Sequence, residues 1–376
     1  MKKSARSTQP DPKGRLLSLD ALRGFDMFWI AGGSSVVVSL AKMTDAGWLR
    51  ALETQMDHVP WIGFHFYDLI FPLFMFISGI AIPFSVKSAL ARNPSKSGLL
   101  LKFLKRMLIL ILLGWLYNGN FKDGFADARY VSVLGQIGVA YFLSAFIHTF
   151  SGSVKATILW LAAVLAGVSV LQLLVPVPGF GPGVFTPEGS MNGYIDRMCL
   201  PGRLAYFNGT FDALGILSVF SAVGITLMGI VAGKVLQVQG WSGYRKTGTL
   251  AITGAVMIPV ALLLSPVYPI IKVCWTTTYN LLAGGISFLL IALFYLIIDV
   301  WGFQKWSFFF RIIGMNSIFI YLLGRIVPLG VIAGFFTGWI TGPAGDAGSV
   351  LSACFIIAAE WMLLYYMYRK DIFVRV

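Results

Sequence analysis

His58-Val-Pro60-Trp61-Ile-Gly63-Phe-His65-Phe-Tyr67-Asp68-Leu-Ile-Phe71-Pro72 runs straight into Leu73-Phe-Met-Phe-Ile-Ser-Gly-Ile-Ala-Ile-Pro83. After Asp68 no charge appears until Lys87. Such a run approaches the ~20 apolar residues with which a helix crosses a bilayer. Ahead of it stand an imidazole, a Trp and a carboxylate, at the mouth of a strongly apolar helix. Pro60 breaks regular structure, which predicts His58 in a loop and Asp68 in the first turns. The chain has three His, and two fall within these fifteen residues. An imidazole at a membrane mouth can take and give protons near neutral pH.

The rest of the chain repeats the apolar theme. Its 376 residues are 57% hydrophobic and 12% charged, with mean hydropathy +0.79. Soluble domains carry about 25% charged residues, so most of this surface is expected to meet lipid. Ten apolar segments stand out, at 17–41, 65–87, 101–118, 131–150, 155–176, 211–236, 246–266, 279–300, 308–327 and 349–368. The stretch 328–340 is too short to span, and fits either an extension of the ninth helix or an interfacial segment. The predicted fold is an all-α polytopic membrane protein of about ten transmembrane helices. It comprises one transmembrane domain, 15–376, behind a flexible polar tail, 1–14, with no cleavable signal peptide.

Orientation follows from Lys and Arg. With the N-terminus inside, twenty of them collect on the inner face and seven on the outer. That asymmetry predicts both termini in the cytoplasm, and it explains the net charge of +13 without nucleic acid. The compact chain and short loops suggest a bacterial inner (cytoplasmic) membrane. Cys199 and Cys274 fall in loops on the outer side, where a disulfide and two free thiols are equally open readings.

Several polar groups could carry chemistry. Asp20, Arg23 and Asp26 share a face of the first span. They read either as a structural ion pair or as a polar wall where Arg23, with Arg15 and the basic inner face, meets a phosphate-bearing cofactor. His65 and Asp68 are three apart. Asp68 could orient a His and stabilise its protonated form, whereas His65, with Trp61 and Tyr67, suits a headgroup belt. Asn316-Ser317 interrupts an apolar helix and could simply bond neighbouring helices. Asp196, Arg197 and Asp212 lie outside, where they could bind a polar acceptor. Glu360 is mid-span without a visible partner. No metal-ligand spacing, GxSxG, phosphate loop or dinucleotide fingerprint sits in its expected context.

Taken in order, these stretches resemble a known family. Arg15-Leu-Leu-Ser-Leu-Asp20-Ala-Leu-Arg23-Gly24 is similar to the opening of membrane acyltransferases. The closer resemblance is to heparan-α-glucosaminide N-acetyltransferase and its bacterial relatives. The His58–Pro72 stretch resembles that family's His-x-x-Trp-x-Gly…Asp-Leu-x-Phe-Pro motif at the same spacing. Val133–Phe142, Gly193–Arg197, Asp212–Leu217, Gly229–Lys234, Gly314–Ile318 and Tyr368–Phe373 resemble further family segments in the same order. Two departures stand out. Ala31-Gly-Gly-Ser-Ser35 lacks the family's Asn, and Gly135-Gln136 replaces its Gln-Arg.

The resemblance implies transmembrane acetylation, with acetyl-CoA bound from the cytoplasm and an amino sugar waiting on the other side. It places the catalytic His on His58 and the acidic partner on Asp68. His58 would be general base, or would briefly carry the acetyl group. Asn316 or Trp61 would donate to the oxyanion. Arg23, Asp20 and Arg15 would face the cofactor, and Trp61, Asp196, Arg197 and Asp212 the acceptor. Membrane lipid is an expected partner, and a homodimer is compatible with this reading. No metal and no nucleic acid are called for. An O-acyltransferase of envelope polysaccharide or lipid-linked sugar remains open, as does a small-molecule transporter, although no paired repeat halves are visible.

Overall fold

A computed structural model describes residues 16–374. The tail 1–14 and Arg15 lie outside them. Among the described residues there are helices and a few isolated bridges but no strand. Eight helices are long and apolar enough to cross a membrane, and a ninth crossing follows if one bent pair counts as a single span. The chain is an all-α polytopic membrane protein. The difference from ten lies in the third segment. It forms a 23-residue helix, Lys96–Asn118, but Lys102, Lys105 and Arg106 within it make it too charged to count with the others.

The residues fall into two compact units. The first, 58–239 with 253–287, carries the stretch that opened the sequence reading. Its central helix, Phe66–Arg92, runs through Pro72 and Pro83. It packs against Ile216–Gln237 by direct backbone approach. A Cβ added at Gly79 would lie 2.2 Å from the Thr226 carbonyl oxygen, and one at Gly229 would lie 2.1 Å from that of Phe76. Within lipid there is no hydrophobic drive between helices, so small residues that let backbones touch hold such pairs. The contact buries Leu73, Met75, Phe76 and Ile77 on one helix and Ile225, Leu227 and Ile230 on the other. Serines start the neighbouring helices: the Ser132 hydroxyl accepts from Gly135 N–H at 3.0 Å, and Ser190 from Gly193 N–H at 3.1 Å. Each satisfies one of the free N–H groups of a first turn.

The second unit holds the described residues up to 57, 240–252, and those from 288 onward. Its first span, Leu17–Lys42, contains a wide π turn at Trp29–Gly33 with Gly32 at φ 141°. Gly24 and Gly314 bring this span against Phe308–Met315: a Cβ at Gly24 would lie 1.7 Å from the Phe310 carbonyl oxygen. The predicted ninth segment is broken. Phe308–Met315 and Ser317–Ile326 meet at 72° across Asn316. The stretch beyond it is a separate helix, Leu329–Thr341.

Candidate functional site

His58 lies in the loop between the helices Gly47–Gln55 and Phe66–Arg92. Gly63, at φ 128°, turns this loop so that its N–H donates to the Ile270 carbonyl at 2.9 Å. Gly tolerates that backbone and other residues do not. The bond ties the loop to a second one, 265–276, whose Lys272 arrives at the same place.

Asp68 is the hub. Its side chain is fully buried, yet four donors converge on it. Oδ2 accepts from the backbone N–H of His65 at 3.0 Å and of Val59 at 3.3 Å. Oδ1 meets His58 Nδ1 at 2.8 Å and Lys272 Nζ at 3.1 Å. The position suits a carboxylate, because the free N–H groups of a helix start favour negative charge. The hydroxyl of Tyr279 donates to the Asp68 carbonyl at 2.9 Å, which fixes the first turn. His58, by contrast, is half exposed, at 50% of its side chain. A molecule from outside can therefore reach an imidazole whose other side is held by a buried carboxylate. His65 contributes its backbone as the cap of the helix, as Asp68 requires.

Lys272 was absent from the sequence-based site. Its Nζ lies 2.8 Å from His58 Nδ1 and 3.2 Å from Nε2. Burial pushes its ammonium below the ordinary lysine range, against the pull of Asp68. The three side chains come from positions 58, 68 and 272, and only the folded chain brings them together.

The other expected site residues have definite places. Trp61 donates Nε1–H to the Phe185 carbonyl at 2.6 Å and packs edge-on against Phe207 and Phe211. Asp212, expected to meet an acceptor, is instead fully buried and held bidentately by Arg129, Nε–Oδ2 2.8 Å and NH2–Oδ1 2.7 Å. Backbone N–H groups of Ala205 and Leu214 complete its shell. Asp196 is also fully buried. Its Oδ1 accepts from Ile216 N–H at 2.9 Å and so ties the outer segment to the start of Ile216–Gln237. Burial pushes this carboxyl up to about 7, partly opposed by that N–H, while the nearby Asp212 charge adds to the rise. The Arg197 guanidinium donates to the carbonyls of Thr210 and Glu188. Cys199 and Cys274 are free thiols, the first exposed and the second buried.

In the second unit Arg23 pairs with Asp20 at 3.5 Å, one turn along the helix. Asp26 is fully buried, and neither oxygen meets a donor among the described residues. The Asn316 amide is engaged at both ends: Nδ2 donates to the Ile372 carbonyl at 3.2 Å, and Oδ1 accepts from Val374 N–H at 2.9 Å. It closes the helix break with the C-terminal segment. Glu360 is buried, with one oxygen unpartnered among the described residues. No cluster of metal-ligating side chains is found among the described residues.

Fold and site together define a polytopic membrane protein whose histidine is set at the head of a buried span by an ionic cluster. No protein-family model matches the chain. The chain is similar to the heparan-alpha-glucosaminide N-acetyltransferase of Homo sapiens, with 28% identity over 96% of this chain and 59% of that protein. It resembles that of Mus musculus at 27% identity over 84% of this chain and 56% of the relative. It spans under three fifths of the length of these curated relatives.

Proposed function

We propose that the chain is a transmembrane acetyltransferase. It moves an acetyl group from cytoplasmic acetyl-CoA to the amine of an amino sugar, or a related glycan acceptor, on the far side of the membrane. The names of both relatives support the acetyl transfer and the amino sugar. The observation that carries the reading is the half-exposed imidazole of His58 against the buried carboxylate of Asp68.

When Nδ1–H donates to Asp68, Nε2 presents a lone pair. It takes a proton from the acceptor amine as the nitrogen attacks the acetyl carbonyl carbon. The C–N bond forms, the C–S bond breaks, and the leaving sulfur recovers the proton from His58. A positioned general base of this kind contributes roughly 10²–10⁴-fold. A brief acetyl-imidazole on His58 is the variant route, and it would give ping-pong kinetics. Trp61 forms a wall beside the acceptor's approach. The resemblance assigns the phosphates of the donor to Arg23, paired with Asp20, and to Arg15. Asp196, Arg197 and Asp212 shape the loops around the mouth. The positive-inside asymmetry supports cytoplasmic termini and donor entry from that side, in a bacterial inner membrane.

One observation favours transport instead, since broken spans often mark substrate paths. The 72° break at Asn316 is such a feature. Its side-chain amide, however, is taken up by backbone of residues 372 and 374.

The test is transfer of label from acetyl-CoA to glucosamine by purified protein, with hydroxyl acceptors alongside. Label on the amine, lost in His58→Ala, is expected. Label only on hydroxyls moves the reading to O-acyl transfer, and no CoA release with any acceptor favours transport.

A further inference from the structure

The sequence pattern gave Lys272 no role, and the proposed reaction does not use it. Its surroundings are nevertheless heavily built. The loop 265–276 is clamped from several sides. Cys274 carbonyl accepts from Gln172 Nε2 at 2.8 Å and from Asn192 Nδ2 at 3.1 Å. The Trp275 carbonyl accepts from the Ser221 hydroxyl. Ile271 N–H donates to Thr276 Oγ1 at 3.1 Å, and Trp275 N–H returns to the Lys272 carbonyl at 2.9 Å. Trp275 itself sits at φ 49°, a left-handed conformation that a bulky residue adopts only when its surroundings enforce it. Gln172, Asn192, Ser221 and Trp275 are all buried. This is a rigid mount, and the side chain it presents to His58 is Lys272.

The contacts at the tip compete. A neutral imidazole has one N–H. If Nδ1 carries it, it donates to Asp68 Oδ1 at 2.8 Å, and the Lys272 ammonium beside the ring has only the Nε2 lone pair, 3.2 Å away, to donate to. If Nε2 carries it, Lys272 donates to Nδ1, and Asp68 faces a lone pair. Asp68 and Lys272 thus both stand 2.8 Å from Nδ1, and Lys272 meets Nε2 as well. Their opposite charges also act on the ring together: the carboxylate favours an imidazolium, and the ammonium disfavours it. The groups facing His58 include Asp68 and Tyr67 of Phe66–Arg92, the latter with its ring 5.0 Å away, and Lys272 of the clamped loop. Tyr279 of the following helix reaches only the Asp68 backbone.

We propose that Lys272 is a positioning residue for His58, one that counters Asp68 so that the imidazole stays neutral and can accept a proton at Nε2. Without it, the buried carboxylate would hold His58 as an imidazolium, which is no base. The downward shift of the Lys272 ammonium agrees with an amine enclosed for this purpose. The proposal rests on His58 being the base of the reaction above.

The experiment is an NMR titration of ¹⁵N-histidine-labelled protein, with His58 assigned through His58→Gln. It needs no substrate, so it separates this inference from the acetyltransferase reading. In the wild type, His58 is expected to be neutral at pH 7. In Lys272→Met and Lys272→Gln it should titrate about one pH unit higher or more, as expected when a charge within hydrogen-bonding distance is removed. Lys272→Arg should stay near wild type. The acid limb of acetyl transfer should move upward by the same amount in the neutral variants, with the acceptor KM little changed. A wild-type His58 already charged at pH 7 overturns the proposal, and this holds even if no variant folds. Equal titration in wild type and Lys272→Met overturns it too. A shifted titration in a protein that transfers no acetyl group would sink the proposed reaction and leave the role of Lys272 standing.

Discussion

Asp68 and Asp212 are both fully buried, and four donors surround each. They differ in the company they keep. Asp212 holds Arg129, a permanent cation in a bidentate fork that closes the ligand shell. Asp68 holds a histidine and a lysine, two groups that can exchange protons, and the histidine is half exposed. The first arrangement braces a loop, while the second can do chemistry. Full satisfaction of a buried carboxylate therefore marks a place on which the fold depends. What it is for depends on whether its partners titrate and whether one of them reaches solvent.

Asp196 and Asp26 extend the comparison downward. Asp196 accepts from Ile216 N–H at Oδ1 while its Oδ2 is unpartnered among the described residues, and neither oxygen of Asp26 meets a donor among them. The effect of replacing each carboxylate should fall in that order. Asp68→Asn should lower acetyl transfer by roughly 10²-fold or more, because the neutral amide can no longer hold Nδ1–H and the right tautomer. Asp212→Asn leaves the partly enclosed Arg129 without its counter-charge, which costs about 3 kcal/mol. The thermal midpoint in detergent should drop, and Arg129→Met with Asp212→Leu should recover much of the loss.

Asp196 predicts a pH effect rather than a loss. Its folded pKa of about 7 lies above the unfolded value. The folded protein keeps this proton where the unfolded chain has released it. Stability from this group is complete below about pH 4 and is lost as pH rises towards 7. Asp196→Asn should flatten that part of the melting profile and raise the midpoint at pH 8. Asp26→Asn should do least, leaving stability unchanged or up by as much as about 1 kcal/mol and turnover within about threefold. A large loss of transfer there would break the ranking by donors.

Much of this was legible in the sequence. Apolar runs marked the spans, because lipid demands them, and Pro60 marked the loop that carries His58. The pairing of Asp68 with His58 was open to expectation from the motif. Lys272 was not, since it lies 214 residues beyond His58 in a loop with no local pattern. One signal was present: a lone Lys in Pro269-Ile-Ile-Lys272-Val-Cys-Trp275, on the face that the charge asymmetry leaves poor in cations. The roles of Asp212 and Asn316 depended on partners far along the chain, Arg129 and the 372–374 backbone, and spacing alone could not supply them.

The most direct measurement is the rate of acetyl transfer per folded molecule for Asp68→Asn and Asp212→Asn, with the folded fraction taken from detergent gel filtration. The account predicts that Asp68→Asn folds and loses the reaction, while Asp212→Asn loses folded protein but keeps near-wild-type turnover in what remains. Equal turnover per folded molecule in the two variants, or a loss confined to Asp212→Asn, would contradict it.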